Sequence, residues 1–337
     1  MYTMDELPDN DPIQLNNKTL LKVEEENREE LMSDDSYSFL YPSLDDPLFN
    51  TKIAQRKEFN DTKYENPLSG ETKLSGKLIA EISDKLCNAD VELASHQMFV
   101  RNFLSFNTPY NGLLLYHGLG SGKTCSAISV AEEMRNYLNQ LGISQRIIVV
   151  ASPNVQDNFK LQLFDERKLQ LVDGLWNIRS CIGNKFLSEI NPMNMKGIPR
   201  DKVIAQIKQI INSSYHFVGY VEFANYVSKK SEVESDMSSK SKESIMKKKL
   251  SRLFKNRLII IDEVHNIRMT DDNSDKKVAT ELMKLVKNVK HMRLLLLSAT
   301  PMYNSYKEVI WLLNLLNIND GRASISVKDV FLSLIHI

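Results

Sequence analysis

The sequence predicts an α/β fold with a parallel sheet flanked by helices, and three observations carry that prediction. Short apolar runs recur at residues 113–116, 147–150, 216–221, 258–261 and 294–297. They are apolar on both faces, as strands buried between two helical layers are. Helical patterns at 126–138 and 202–211 separate them, and strands alternating with helices favour a parallel sheet. Finally, the first run opens directly into a glycine-rich turn.

The bulk numbers bound the rest. A chain of 337 residues holds two average domains or one large one with appendages. Hydrophobic residues at 42% and charged residues at 26% suit a soluble globular protein with a sizeable core. Forty-three basic residues balance 43 acidic ones, so any case for nucleic acid or membrane binding must come from local patches. Cys87, Cys125 and Cys181 are too few and too scattered for a disulfide framework or a zinc site, which suggests a reducing compartment. No run of about 18 apolar residues is present, so no membrane contact is expected. The acidic start, MYTMDELPDNDP, lacks the apolar core of a signal peptide, so secretion is not expected.

Along the chain, residues 1–75 are polar and acidic, with Glu24, Glu25, Glu26, Glu29, Glu30, Asp34 and Asp35 close together. They are expected to form an acidic, partly ordered N-terminal extension with one short helix near 20–31. From residue 76 to 320 a single lobe is expected. Leu78, Ile79, Ile82 and Leu86 recur at helical spacing, followed by Met98, Phe99, Phe103 and Leu104. Residues 228–249 break the rhythm: Ser, Lys and Glu dominate, with almost nothing to bury. A mobile insertion between the third and fourth strands is expected there. Its basic distal end, Lys247, Lys248, Lys249, Arg252, Lys255 and Arg257, suits phosphates, or simply solvent. Residues 321–337 look like a truncated tail. The ending LSLIHI is what a common transposase adapter encodes in this frame, so native sequence is expected to stop near Phe331.

The motifs sit at strand ends. Tyr116 leads into His117-Gly118-Leu119-Gly120-Ser121-Gly122-Lys123-Thr124, and a helix follows. Gly118, Gly120, Ser121 and Gly122 let the backbone curl so that successive N–H groups face a phosphate, and the helix N-terminus adds partial positive charge. Lys123 would reach the β- and γ-phosphates of ATP, and the Thr124 hydroxyl would ligate Mg²⁺. His117 stands where the strict phosphate-loop rule has glycine, but the shorter G-x-G-K-T core is intact.

The fourth run ends in Asp262-Glu263-Val264-His265. Ligand sites of open α/β sheets lie at that carboxyl edge. Asp262 would hold the Mg²⁺ shared with Thr124, and Glu263 would orient the attacking water. Two carboxylates after a strand also serve as an ordinary helix cap. The fifth run ends in Ser298-Ala299-Thr300-Pro301, an ordinary turn on its own, whose weight comes from the order of all three motifs.

HGLGSGKT, DEVH and SATP together resemble motifs I, II and III of superfamily 2 helicases of the D-E-x-H type. With YPSLDDPLFNTKIAQRKEFNDTKYE, HQMFVRNFLSFNTPYNGLLLYHGLGSGKT, ASPNVQDNF, DEVHNIR and LLLLSATPMYN, the chain is similar to helicase-like ATPases of nucleocytoplasmic large DNA viruses. The group in question includes the small subunit of the poxvirus early transcription factor and the related viral nucleoside triphosphatase. The resemblance implies a RecA-like P-loop NTPase lobe, the first of two. It implies that Gln97 reads the adenine edge, and that His265, Ser298, Ala299 and Thr300 couple hydrolysis to nucleic-acid movement. Ser152, Pro153 and Asn154 would touch the nucleic-acid backbone.

The implied partners are DNA or RNA, with RNA polymerase or transcription factor subunits, in a virion or the viral factory of a host cytoplasm. The second lobe of such a motor supplies arginines worth three to five orders of magnitude in rate. No such motif follows residue 319, so slow hydrolysis is expected of the chain as given. Two other functions compete: a non-motor nucleotide-binding module that recruits transcription partners, and an unrelated P-loop ATPase or kinase.

Overall fold

The computed structural model describes residues 40–63, 80, 93–118, 120–233, 238–267, 273–302 and 306–330. The helix expected near 20–31 and the helical set at Leu78, Ile79, Ile82 and Leu86 lie outside them.

Chain order starts with α1 (Phe49–Gln55), α2 (Lys57–Asn60) and α3 (Ser95–Phe103), then β1 (Gly112–Tyr116), α4 (Lys123–Gln140), β2 (Ile147–Val150) and α5 (Pro153–Leu163). A hairpin of β3 (Leu169–Val172) and β4 (Leu175–Ile178) follows, with α6 (Lys185–Ile190), α7 (Arg200–Ser214) and β5 (Tyr215–Val218). The chain continues through α8 (Tyr220–Ser231), α9 (Ser239–Phe254), β6 (Leu258–Ile261), α10 (Asn273–Asn288), β7 (Arg293–Ser298), α11 (Tyr306–Asn319) and α12 (Val327–Val330). Five strands form one sheet in the order β1-β7-β6-β2-β5, and every neighbouring pair is parallel. All five carboxyl ends therefore lie on one edge.

The burial pattern explains why these runs are strands. Alternate side chains point to opposite faces of a sheet, and both faces here are covered. Ile147, Val149, Leu258, Ile260, Leu295 and Leu297 join one core with α3 and α4. Ile148, Val150, Ile259, Ile261, Leu294 and Leu296 join the other with α8, α9, α10 and α11. A polar side chain on either face would be desolvated, which is why the runs are continuously apolar.

The expected strand at 216–221 is shorter than its apolar pattern. It ends at Val218, and Gly219 caps α8. The Gly219 N–H donates to the Glu222 carboxylate at 3.5 Å, so Tyr220 and Val221 belong to a helix whose capping residue came two positions earlier.

Within residues 1–75, the described part (40–63) packs on the lobe rather than trailing from it. Ile53 and Phe59 are 3% and 2% exposed, and Phe59 and Phe49 lie against Phe103 of α3. The Tyr110 hydroxyl donates to the Pro42 carbonyl at 2.8 Å. Likewise, the stretch expected as an insertion with little to bury is helical at both ends. It closes α8 and opens α9, whose Leu250 and Phe254 are fully buried. Met246, Leu250, Leu253 and Phe254 share a face at helical spacing, a stripe masked by the surrounding lysines.

Two of the three cysteines are paired, contrary to the expectation from their number and spacing. Cys125, in the first turn of α4, is bonded to Cys181 with Cα atoms 5.2 Å apart. Fifty-six positions separate them, and only the fold brings the start of α4 beside the turn before α6; Cys87 lies outside the described residues. A loop of that length is worth about 4 kcal/mol in lost unfolded-chain entropy. Urea unfolding with and without a thiol reductant should therefore differ by about 2–4 kcal/mol. Superimposed curves would show that the bond is not formed in solution.

Further along α4, Arg135 bridges Glu132 and Glu189, each at 2.7 Å. The Tyr215 hydroxyl donates to Glu132 at 2.6 Å. This network ties the helix to α6 and β5, and so holds its N-terminus at the sheet edge.

Candidate functional site

The glycine loop occupies the edge between β1 and α4. Gly120 and Gly122 have φ of +78° and +79°, a region open to glycine at little cost. A Cβ at Gly122 would also meet Gln97 Nε2 at 2.5 Å. At Gly118 and Gly120 an added Cβ would meet nothing within 4 Å, so the loop backbone faces open space there. The Lys123 ammonium lies across the loop, donating to the His117 and Gly118 carbonyls at 2.8 and 3.1 Å. Ser121 Oγ donates to the Gly118 carbonyl at 2.8 Å. Leu119 lies outside the described residues.

Helix α3 braces this loop. Gln97 accepts from the Ala94 N–H at 3.0 Å and donates to the Gly122 carbonyl at 3.3 Å. His96 Nε2 lies 3.1 Å from the Ser121 carbonyl, and its ring meets that of His117 edge-on. Gln97 thus sits at the loop, and its amide retains one N–H and one lone pair for a ligand. His96 went unnoticed in the sequence; only its position beside Gln97 hinted at it.

The acidic pair follows the fully buried β6. Asp262 is 6% exposed, and burial pushes its carboxyl up to about 6, although the Glu263 N–H and the nearby Lys123 ammonium pull the other way. The folded-state value lies above the ordinary 3.8. The ionised form therefore costs stability as pH rises through about 6, a cost that a bound cation offsets.

Glu263 holds φ +49° and ψ +51°, a strained conformation for a side chain of this size and one that clusters at functional sites. Its Oε2 is buried without a hydrogen-bond partner. His265 Nδ1 is 3.3 Å from that oxygen, but its hydrogen-bonding contact, at 3.0 Å, is with Ser298 Oγ. Ser298 Oγ also accepts from the Thr300 N–H at 3.0 Å. The second and third motifs are therefore physically joined, His265 to Ser298 to Thr300, with Ala299 between.

Strand order explains the convergence. Tyr116 is in register with Ser298, and Ile261 with both Leu296 and Val150. The loop, the S-A-T turn, the acidic pair and the Ser152 turn therefore succeed one another along the edge. Ser152 caps α5, with Pro153 in its first turn; Pro153 and Asn154 are exposed. No direct hydrogen bond joins Thr124 to Asp262 among the described residues. No group of three His, Cys, Asp or Glu residues that could hold a metal ion is found among them either. A magnesium ion held by few protein ligands and by phosphates needs none.

Five parallel strands between two helical layers, with the motif residues gathered at one edge, define the class as an α/β lobe with its candidate site at the carboxyl edge of a parallel sheet. The chain belongs to the SNF2-related domain family, matched over residues 96–331.

Three viral relatives support the same placement. "Putative helicase 087L" of Invertebrate iridescent virus 3 is 27% identical over 303 residues, 87% of this chain and 25% of that protein. "Putative ATP-dependent RNA helicase R350" of Acanthamoeba polyphaga mimivirus is 29% identical over 302 residues, covering 82% and 31% respectively. "Early transcription factor large subunit homolog" of African swine fever virus is 24% identical over 343 residues, covering 82% and 30%. The chain thus spans a quarter to a third of the length of these relatives. The transcription factor relative carries the large-subunit name, where the sequence motifs suggested the small subunit. Among the described residues no helix is long and apolar enough to cross a membrane.

Proposed function

We propose that the chain is the ATP-binding lobe of a nucleic-acid-dependent ATPase of the helicase type, acting in viral transcription or DNA remodelling. One observation carries this: the parallel sheet sets the carboxyl ends of β1, β7 and β6 side by side, so the phosphate loop, the S-A-T turn and the acidic pair open on one edge. The viral names of the relatives support the setting. They fit a virion or viral-factory location, with DNA or RNA and transcription proteins as partners.

Loop N–H groups and Lys123 bind the β- and γ-phosphates of ATP. Thr124 and Asp262 would hold magnesium, which when bound neutralises charge on the phosphates. Glu263 Oε2, buried without a hydrogen-bond partner, orients the attacking water and takes its proton as the γ-phosphoryl group leaves ADP. Gln97 positions the base from the loop's flank. The His265–Ser298–Thr300 chain would pass changes at the acidic pair to the S-A-T turn, and Ser152, Pro153 and Asn154 would meet nucleic acid on the same edge.

The test is ATP hydrolysis by the full gene product with and without DNA and RNA. Stimulation of about fivefold or more is expected from an allosteric coupling of ordinary size. Hydrolysis indifferent to nucleic acid would favour a non-motor module instead.

A further inference from the structure

Tyr220 lies in the first turn of α8, where β5 reaches the edge that carries the motifs. Its hydroxyl donates to the Asp262 carbonyl at 2.7 Å. β2 lies between β5 and β6 in the sheet, so the side chain that makes this bond crosses the end of β2, where the Ser152 turn begins. One phenol therefore spans three strand ends: its own, the Ser152 turn after β2 that it crosses, and the acidic segment after β6 that it holds.

The carbonyl that it holds belongs to the peptide between Asp262 and Glu263. The amide end of that peptide is held too, because the Glu263 N–H donates to Asp262 Oδ1 at 2.9 Å. A peptide plane clamped at both ends fixes the direction in which the next side chain leaves the backbone. That next side chain is Glu263, already in a strained backbone conformation. A shift of the Ser152 turn beneath it would displace the phenol, tilt this plane and re-aim the Glu263 carboxylate. Burial pushes the phenol up to about 12, so it stays a donor throughout the neutral range.

We propose that Tyr220 is a positioning residue that couples the turn at Ser152, Pro153 and Asn154 to the aim of Glu263. The proposal rests on the function given above and deepens it, adding a link on the side opposite the His265–Ser298 contact. Tyr220 itself touches neither nucleotide nor nucleic acid in this scheme.

The experiment compares wild type with Tyr220→Phe in the full gene product. ATP hydrolysis is measured with and without saturating single-stranded and duplex DNA, with a melting curve for each protein. Phenylalanine keeps the ring and removes only the oxygen. The ratio of stimulated to unstimulated kcat should fall by about fivefold or more, while KM for ATP moves by less than about twofold. Should the variant melt early, the same ratio is measured at a temperature where both proteins are folded and carries the same expectation. An unchanged ratio in a folded variant overturns the coupling role. A KM that rises as kcat falls assigns Tyr220 to general packing and overturns it as well. Wild-type hydrolysis that ignores DNA overturns the proposed function, and this coupling with it.

Discussion

Glu263→Gln is expected to leave magnesium–nucleotide affinity within about threefold of wild type while hydrolysis falls by about 10²–10⁴, the range for loss of a general base. Glutamine is nearly isosteric, so the backbone at φ +49° faces no new steric demand. What changes is one oxygen: the buried Oε2 without a hydrogen-bond partner becomes either an amide nitrogen or an oxygen that cannot take a proton from water. Loss of binding and hydrolysis together would place Glu263 in structural support instead. Single-turnover measurements with pre-bound nucleotide separate these outcomes, because they read the chemical step without the binding step.

The second large effect is on binding. Lys123→Ala should weaken nucleotide affinity by about 10–100-fold, the worth of a charge-assisted hydrogen bond or two. The lysine already lies over the loop, bonded to the His117 and Gly118 carbonyls, so little reorganisation separates that position from a phosphate. Its removal also withdraws the charge that favours ionised Asp262. Binding in the variant should then fail at a higher pH than in wild type as Asp262 takes up a proton.

Much of this was legible locally. Four of the five sheet strands lie within a residue of their apolar runs, because a strand covered on both faces admits little but aliphatic side chains. The motif residues were legible for the same reason: each follows such a run, and a parallel sheet sends all of those ends to one edge. What was not legible depended on distant partners. Cys125 and Cys181 meet through tertiary packing. Leu250 and Phe254 look like isolated apolar residues in a lysine-rich tract until α8 and α10 are placed beside them. Phe49 and Phe59 need Phe103 to become core. Tyr220 fell inside an overlong strand, so its place at the edge was hidden.

One hairpin was missed despite a local signal. Asp173 and Gly174 both have positive φ, the two-residue turn that Asp-Gly favours between paired strands. β3 and β4 flank it, antiparallel, with Leu171 opposite Trp176. The pair leaves Gln170, Leu171 and Val172 exposed, so it lacks the continuous burial that marks the five sheet strands.

Magnesium-dependent binding of a non-hydrolysable ATP analogue at pH 8, across wild type, Lys123→Ala, Asp262→Asn and the double variant, bears most directly on the shared site. Two groups acting on one bound nucleotide should give losses that are not additive, with an interaction energy of about 1 kcal/mol or more. Losses that simply add, or affinity untouched by either change, would mean that Lys123 and Asp262 do not serve a common ligand.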